Sequence, residues 1–170
     1  MTRRFLIMRH AKSSWAEPGL ADHDRPLNKR GRAAATAMGD WLAAEGLIPD
    51  EVLLSSAART VETLLRISEH WDNAPAALGD RELYMAWPAK VIEMLRRVDS
   101  DAHTVMLVNH EPTVSALAEV LSAPPIPDNC ARAFRHYPTA AVSVLDTEKR
   151  WAEVGPETMR FTHFQVPREL

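Results

Sequence analysis

The chain alternates between short continuous apolar runs and longer segments whose apolar residues recur at helical spacing. Three runs are typical of strands buried on both faces of a sheet: residues 5–8, 51–55 and 103–109. Four amphipathic helices are predicted: from Arg30 to a stop at Gly46, over residues 61–71, from Pro88, and from Pro112. Because strand and helix alternate, we predict an α/β fold, a three-layer α/β/α sandwich with a mostly parallel central sheet and helices on both faces.

The last third of the chain departs from this alternation. Residues 122–138 contain a cluster of prolines without helical or strand periodicity, and we predict one long ordered loop there. Residues 140–145 are predicted to form a strand that pairs with residues 151–154 across a turn, and residues 161–166 an edge strand or tail. No repeat or linker divides the chain, so we expect a single domain over residues 1–170.

Composition narrows the class of protein. Lys and Arg number 20 against 23 Asp and Glu, and the net charge of −3 does not fit a nucleic-acid binder. The first apolar run is too short for a signal peptide, and no run approaches the roughly 20 apolar residues of a membrane helix. Cys130 is the only cysteine, so no internal disulfide can form. We expect a cytoplasmic protein that binds neither nucleic acid nor a membrane; the sequence does not indicate its oligomeric state.

The first strand ends on Arg9 and His10, a pair suited to phosphate chemistry. Ligands of open α/β sheets bind just beyond the carboxyl ends of strands. A neutral imidazole there can act as a nucleophile, and a guanidinium can hold a phosphoryl or carboxyl group through two parallel hydrogen bonds. The alternative is a strand that merely ends in two polar residues.

Two further residues follow strands in the same way. His110 follows the strand of residues 103–109 and precedes a helix, which repeats the arrangement of His10. Arg59 lies in the first turn of the helix after the second strand, behind Ser55 and Ser56, either of which could cap that helix. A cation is slightly unfavourable at a helix N-terminus unless an anion is held beside it. The sequence therefore predicts an anion site at this edge of the sheet, although a surface arginine and a structural histidine are the plainer alternatives.

With these residues the chain resembles the histidine phosphatase superfamily, and specifically its small SixA-type phosphohistidine phosphatase branch. The matching features are Arg9-His10, Arg25-Pro26-Leu27 with Gly31, residues 55–63 with Arg59 and Glu62-Thr63, Glu82-Leu83-Tyr84, Val108-Asn109-His110 and residues 139–146. The resemblance covers nearly the whole chain and implies the phosphoglycerate mutase-like fold. Two residues depart from the family pattern: Ala11 stands where glycine is usual, and Ser56 where proline is frequent.

The resemblance implies a phosphatase in which His10 attacks phosphorus and carries the phosphoryl group until water removes it. Arg9, Arg59 and His110 would form the pocket around the non-bridging oxygens. Since these side chains would supply the positive charge, neither a metal nor another cofactor is expected. Phosphoryl transfer depends mainly on positioning and charge neutralisation, which such a pocket provides.

Two more residues have alternative roles. Arg25 is by resemblance a fourth phosphate contact, or else an ion-pair partner of Asp22 or Asp24. Glu82 stands where many family members carry the acid that protonates the leaving oxygen; its alternative is a structural carboxylate paired with Arg81 or Arg25. A phosphohistidine substrate would tolerate a weak acid, because imidazole leaves more easily than an alkoxide.

Other functions fit less well. A metal site of the His-Glu-x-x-His type would need a second histidine where Val114 stands, and a dinucleotide-binding turn would need glycines where the sequence reads Arg-His-Ala-Lys. A non-catalytic module that binds a phosphorylated ligand needs the arginines but no nucleophile at His10. Residues 79–87 leave little room for a lid over a large substrate, so we expect phosphohistidine on a protein as the substrate, with a small phosphomonoester as the alternative.

Overall fold

The computed structural model describes residues 1–170, which form a six-stranded sheet flanked by helices. The strands are β1 (Arg3–Arg9), β2 (Glu51–Ser55), β3 (Gly79–Asp80), β4 (Thr104–Asn109), β5 (Val142–Thr147) and β6 (Arg160–Gln165). The helices are α1 (Lys29–Ala44), α2 (Ala58–Ile67), α3 (Arg81–Tyr84), α4 (Pro88–Leu95), α5 (Thr113–Leu121) and α6 (Asp128–Ala131). Short 3-10 turns occupy Asp22–Asp24, Arg132–Phe134, Trp151–Glu153 and Pro167–Glu169. None of the helices is both long and apolar enough to cross a membrane.

The strands are arranged in the order β3-β2-β4-β1-β5-β6. The first four in this order are parallel, whereas β5 runs antiparallel to β1, and β6 antiparallel to β5. The predicted α/β class and mostly parallel central sheet are confirmed. The parallel part matters for function, because its strands all end at the same edge.

Hydrophobic cores lie on both faces of the sheet. In β1, Phe5 and Ile7 pack into the core that α4 and α5 cover, while Leu6 and Met8 pack into the core under α1 and α2. This alternation follows from the two-residue period of a strand. A strand buried on both faces must be apolar throughout, which explains the continuous run seen in the sequence.

Helices α1 and α2 pack together closely enough to require a glycine. A Cβ atom at Gly39 would collide with the backbone of Ile67. Helix α1 ends just before Gly46, whose φ of +67° places it in the left-handed region that favours glycine. The stop predicted at Gly46 is confirmed.

Three predictions for the last third of the chain need correction. Residues 122–138 are not one loop, since α6 and a 3-10 turn lie within them and bury Cys130 and Ala133. Where residues 151–154 were predicted as a strand, residues 151–153 form a 3-10 turn, in which the buried Trp151 indole donates a hydrogen bond to the carbonyl oxygen of Ala102, 2.7 Å away. The strand β5 pairs with β6 and not, as predicted, with residues 151–154. This pairing confirms the edge strand that was predicted near the end of the chain.

Candidate active site

Two histidines stand side by side where β1 and β4 end. The parallel register pairs Arg9 with Asn109, the last residues of β1 and β4, so His10 and His110 directly follow the two strand ends. Their ring centroids are 5.2 Å apart, with the ring planes inclined at 54°, and both residues are buried. The structure therefore brings the two predicted histidines together.

His10 is held in one tautomer. Its Nδ1 lies 2.7 Å from the carbonyl oxygen of Ala11. Because a carbonyl oxygen only accepts, Nδ1 carries the proton and Nε2 of the neutral ring keeps its lone pair. Burial lowers the pKa of His10 to about 4, with smaller contributions from neighbouring guanidinium groups. The ring is therefore neutral near pH 7, and Nε2 can act as a nucleophile.

Only one of the two ring nitrogens of His110 has a hydrogen-bond partner. Nε2 lies 2.8 Å from the hydroxyl oxygen of Ser55, whereas Nδ1 is buried without a hydrogen-bond partner. The backbone N–H of His110 donates to Oδ1 of Asn109 at 2.7 Å, and Nδ2 of Asn109 donates to the carbonyl oxygen of Leu83 at 3.1 Å. Burial, followed by the neighbouring His10 and Arg59, lowers the pKa of His110 to about 3.

The start of helix α2 differs from the prediction. Its N-cap is Ala57, without a side-chain hydrogen bond, so the prediction that Ser55 or Ser56 caps the helix is wrong. The two serine hydroxyls instead lie 2.8 Å from ring nitrogens, Ser55 from His110 and Ser56 from His23. An uncapped helix N-terminus beside the histidines favours a bound anion.

Arg9 is held from the opposite side of the site. Its Nη1 donates to the carbonyl oxygen of Tyr137 at 2.8 Å, and its Nε is buried without a partner. Tyr137 is itself fully buried, and its hydroxyl lies 2.8 Å from the hydroxyl oxygen of Ser143. Burial is also the largest cause that lowers the pKa of Arg9, a guanidinium that remains charged near pH 7.

Arg59 is fixed by Asp22. Its Nη1 donates to the backbone carbonyl oxygen of Asp22 at 2.7 Å, and its Nη2 donates to the Asp22 carboxylate at 3.0 Å. Arg59 is only 6% exposed, and its Nε has no hydrogen-bond partner. A buried guanidinium held at two points keeps a fixed orientation, and its Nε–H has no hydrogen-bond partner within the protein.

The same carboxylate also holds Arg25 and Tyr84. Arg25 donates from Nε at 3.2 Å and from Nη2 at 3.0 Å to Oδ1 of Asp22, and from Nη1 to the Ser13 hydroxyl at 2.8 Å. The Tyr84 hydroxyl donates to Oδ2 of Asp22 at 2.5 Å. The hydrogen bond from Tyr84 and those from the arginines hold the pKa of Asp22 well below its usual range, so this carboxyl is ionised.

Sequence reasoning found only part of the Asp22 cluster. The ion pair between Asp22 and Arg25 was one of its alternatives, and the structure shows that pair while also burying Arg25 near His10. It missed the pair between Asp22 and Arg59, which are 37 residues apart, and the contact with Tyr84. No spacing in the sequence signals contacts between such distant segments.

Helix α2 also positions the backbone behind the nucleophile. The backbone N–H of Ala11 donates to Oγ1 of Thr63 at 2.9 Å, and the Thr63 hydroxyl donates to the carbonyl oxygen of Arg59 at 2.6 Å. Glu62 accepts a hydrogen bond from the backbone N–H of Leu27 at 2.8 Å. The segment after β1 and the segment before α1 are thus both tied to α2.

Glu82 lies apart from this constellation. Its carboxylate is 65% exposed and pairs with Lys90, with 2.8 Å between Nζ and Oε2, rather than with Arg81 or Arg25. The hydrogen bond and charge of Lys90 lower the pKa of Glu82, so this carboxyl has no proton to donate near pH 7. The role of general acid for Glu82 stays a prediction that this geometry does not support.

The site as a whole can receive an anion next to a nucleophile. We name Arg9, His10, Arg25, Arg59 and His110 the histidine pocket. It contains three of the four buried side-chain nitrogens that lack a hydrogen-bond partner: Arg9 Nε, Arg59 Nε and His110 Nδ1. A buried polar group without a partner costs about 1–3 kcal/mol, which a bound phosphoryl group would recover. No group of three or more His, Cys, Asp or Glu side chains is placed to hold a metal ion.

Comparison with known proteins identifies similar sequences and structures over nearly the whole chain. The sequence profile of the histidine phosphatase superfamily (branch 1) matches residues 5–81. An uncharacterized protein of Mycobacterium tuberculosis (strain ATCC 25618 / H37Rv) is 42% identical over 163 residues, which cover 95% of this chain and 100% of that protein.

Two similar solved structures are provisionally identified phosphohistidine phosphatases of the SixA type. The protein from Nakamurella multipartitia has a TM-score of 0.84 and 31% identity, covering 98% of this chain and 97% of its own. The protein from Agrobacterium tumefaciens has a TM-score of 0.79 and 29% identity, covering 97% of this chain and 98% of its own. These matches support phosphatase activity and confirm the resemblance seen in the sequence: the chain belongs to the histidine phosphatase superfamily, in its SixA-type branch.

Proposed function

We propose that this protein is a metal-independent phosphatase that removes the phosphoryl group from phosphohistidine on another protein, with His10 as the nucleophile. One observation carries the proposal: a neutral His10 with a free Nε2 lies among three buried nitrogens that lack partners. A site that only binds phosphate needs the unpartnered nitrogens, but it has no use for a neutral imidazole held in a single tautomer.

The reaction proceeds in two transfers. First, a bond forms between Nε2 of His10 and phosphorus while the bond from phosphorus to the substrate imidazole breaks, and the departing nitrogen takes up a proton from solvent water. Water then attacks phosphorus, the bond to Nε2 breaks, and inorganic phosphate leaves with the oxygen of that water, whose released proton returns to the solvent. Both transfers proceed through a transition state whose charge lies on the non-bridging oxygens.

The pocket residues stabilise those oxygens. Arg9 and Arg59 carry permanent positive charge, and each has a buried Nε–H that is free to donate. His110 can donate from Nδ1 when Ser55 donates to Nε2, and a bound phosphoryl anion would raise the pKa of His110 by favouring its charged form. Arg25, buried beside them, adds positive charge and is a fourth contact candidate.

The substrate is proposed from the short segment between α2 and α4 and from the relatives. Only the short β3 and α3 lie between α2 and α4, so the chain has no long insertion there to enclose a small molecule. The provisional identification of two similar structures as phosphohistidine phosphatases supports the same class of substrate. Small phosphomonoesters are the alternative.

Trapping of the intermediate tests the mechanism. We expect radioactive phosphate from a phosphohistidine protein to appear on His10 after rapid quenching, as a label that acid removes and alkali preserves. His10→Gln should carry no label and have no activity, whereas His70→Gln, which alters an exposed histidine paired with Asp40, should behave as the unmodified protein does. Full activity of His10→Gln would contradict the mechanism, and phosphate binding without any labelling would favour the non-catalytic alternative.

Comparison of substrates tests the specificity. We expect the value of kcat/KM for a phosphohistidine protein to exceed that for every member of a panel of small phosphate esters. A preference of more than about tenfold for an ester would overturn the proposed substrate while leaving the nucleophile intact.

A further inference from the structure

A groove lined by basic residues lies next to the histidine pocket. It is a cavity of about 620 Å³ between the exposed side of α1 and the segments around residues 136–139 and 166–168. Four basic residues line it, and we name these the basic groove: Lys12, Arg30, His136 and Arg168.

The basic groove shares a wall with the nucleophile. Lys12 follows His10 by two residues, and Thr139, which also lines the groove, precedes Ala140. The backbone N–H of Ala140 lies 3.1 Å from the carbonyl oxygens of both Arg9 and His10. Two segments that border the groove are therefore continuous with, or hydrogen-bonded through Ala140 to, the backbone that carries the reacting imidazole.

The charges of the groove are not used within the protein. Its four basic side chains are exposed and make no ion pair or side-chain hydrogen bond, and no acidic residue lines the cavity. Other arginines of the chain are paired with carboxylates, among them Arg32 with Glu62, Arg59 with Asp22 and Arg132 with Glu169. Unpaired basic residues also occur outside the groove, as at Lys29, so the groove is distinguished by the clustering of its four. A cleft lined by one sign of charge concentrates the electrostatic field and attracts ligands of the opposite sign.

The shape of the groove suits a polypeptide segment. The side of α1 that faces it presents Ala33, Ala34 and Ala37, whose small side chains leave space above the helix. Pro138 and Pro167 add apolar surface without backbone N–H groups. The result is an open trough with a small-residue floor and positive side chains along its edges.

We propose that the basic groove binds an acidic segment of the phosphorylated protein while its phosphohistidine occupies the histidine pocket; this rests on the protein substrate proposed above. The protein carries a net charge of −3, so an acidic partner is repelled by its overall charge and needs a local positive surface to dock. Arginine and lysine at such a surface increase the rate of encounter with carboxylates and fix the register of binding. The groove would thus select among phosphohistidine proteins by the acidic residues near the phosphorylated side chain.

Two synthetic peptides test the proposal. Both contain one phosphohistidine; the first has aspartates and glutamates on either side of it, and the second has asparagines and glutamines at the same positions. For the unmodified protein at low ionic strength, we expect KM of the acidic peptide to be about tenfold below that of the neutral peptide, and this preference to shrink as salt is added.

Charge reversal locates the effect. Arg30→Glu and, on a different segment, Arg168→Glu should each bring the ratio of the two KM values close to one, with far-ultraviolet circular dichroism checking the fold. Lys29→Glu is the matched control, because it makes the same change of charge at the adjacent exposed residue, which does not line the groove. It should retain the preference.

The outcomes separate the two proposals. Equal KM values for the two peptides in the unmodified protein, or the same loss in Lys29→Glu as in the two groove variants, would overturn the basic groove alone. If the protein hydrolyses para-nitrophenyl phosphate but neither peptide, the proposed substrate fails, and the groove proposal fails with it.

Discussion

In the histidine pocket, Arg59 is buried and donates two hydrogen bonds to Asp22, whereas in the basic groove Arg30 is exposed and pairs with no carboxylate. Both are arginines in the first turn of a helix. Arg59 lies close enough to His10 to contribute to its lowered pKa, and Arg30 lines the groove together with Lys12. Their surroundings therefore distinguish them more than their sequence positions do.

The difference separates two uses of positive charge. A buried guanidinium with fixed hydrogen-bond partners needs no reorganisation when charge develops on a phosphoryl group, so it can stabilise a transition state. An exposed guanidinium is screened by water and salt, and it contributes mainly to the approach of a partner. Changes in the pocket should consequently alter the chemical step, and changes in the groove should alter binding.

Removal of Arg59 should have the largest effect among the pocket residues other than His10. We expect Arg59→Gln to lower kcat/KM about 10²–10³-fold, because a fixed donor to the non-bridging oxygens is lost. Arg66→Gln is the control, since Arg66 lies on the same helix and makes only a 3.9 Å ion pair with Glu69. Steady-state kinetics on a phosphohistidine peptide measure both, and an equal loss in the two variants would show that the effect is not specific to the pocket.

Acidification should lower the free energy of unfolding because two histidines are buried in their neutral form. Their folded-state pKa values are about 4 for His10 and about 3 for His110, below the ordinary value of 6.5. Between about pH 6.5 and 4 the unfolded chain therefore binds more protons, and the free energy of unfolding should fall as the pH falls. Each unit of pKa difference corresponds to about 1.4 kcal/mol.

Urea unfolding at several values between pH 7 and pH 5 measures this dependence. His10→Gln should reduce it, because the substituted side chain no longer titrates. His70 is the control with the opposite sign, since Asp40 raises the pKa of His70 and this pair stabilises the fold at low pH. If His10→Gln and His70→Gln change the pH dependence in the same direction, the assignment to buried histidines is wrong.

Neutralisation of Asp22 should have a smaller effect on activity. We expect Asp22→Asn to lower kcat about tenfold, because Arg59 and Arg25 lose the carboxylate that orients them. KM should stay the same or decrease, since the pocket also loses a negative charge close to the phosphoryl site. Asp24→Asn changes a neighbouring residue of the same turn that pairs only with His23, and it should have little effect. A rise in KM with kcat unchanged would show that Asp22 does not act by positioning the arginines.

Neutralisation of Glu82 should have the smallest effect. Because its carboxylate is exposed and paired with Lys90, we expect Glu82→Gln to change kcat for a phosphohistidine peptide by less than about twofold. The measurement is kcat at saturating peptide for the variant and the unmodified protein. A tenfold decrease would instead show that Glu82 leaves Lys90 and protonates the leaving nitrogen, as the family pattern implies.

The sequence alone determined the parts of the molecule that depend on local pattern. The runs that became β1, β2 and β4 are continuous and apolar because parallel strands in the middle of the sheet are buried on both faces. Since these strands end at a common edge, the convergence of His10, His110 and Arg59 could be predicted without coordinates.

Local pattern was a poorer guide where long-range packing decides. Residues 151–154 look like a strand in the sequence, but residues 151–153 form a 3-10 turn with the Trp151 indole buried in the core. Only the tertiary structure places Asp22 between Arg25 and Arg59, fixes the tautomer of His10 through Ala11, and turns Glu82 toward Lys90. Likewise, the basic groove collects residues from opposite ends of the chain. Hydrophobic periodicity records which residues are buried, whereas the partner of each charged side chain depends on which distant segments the packed sheet brings together.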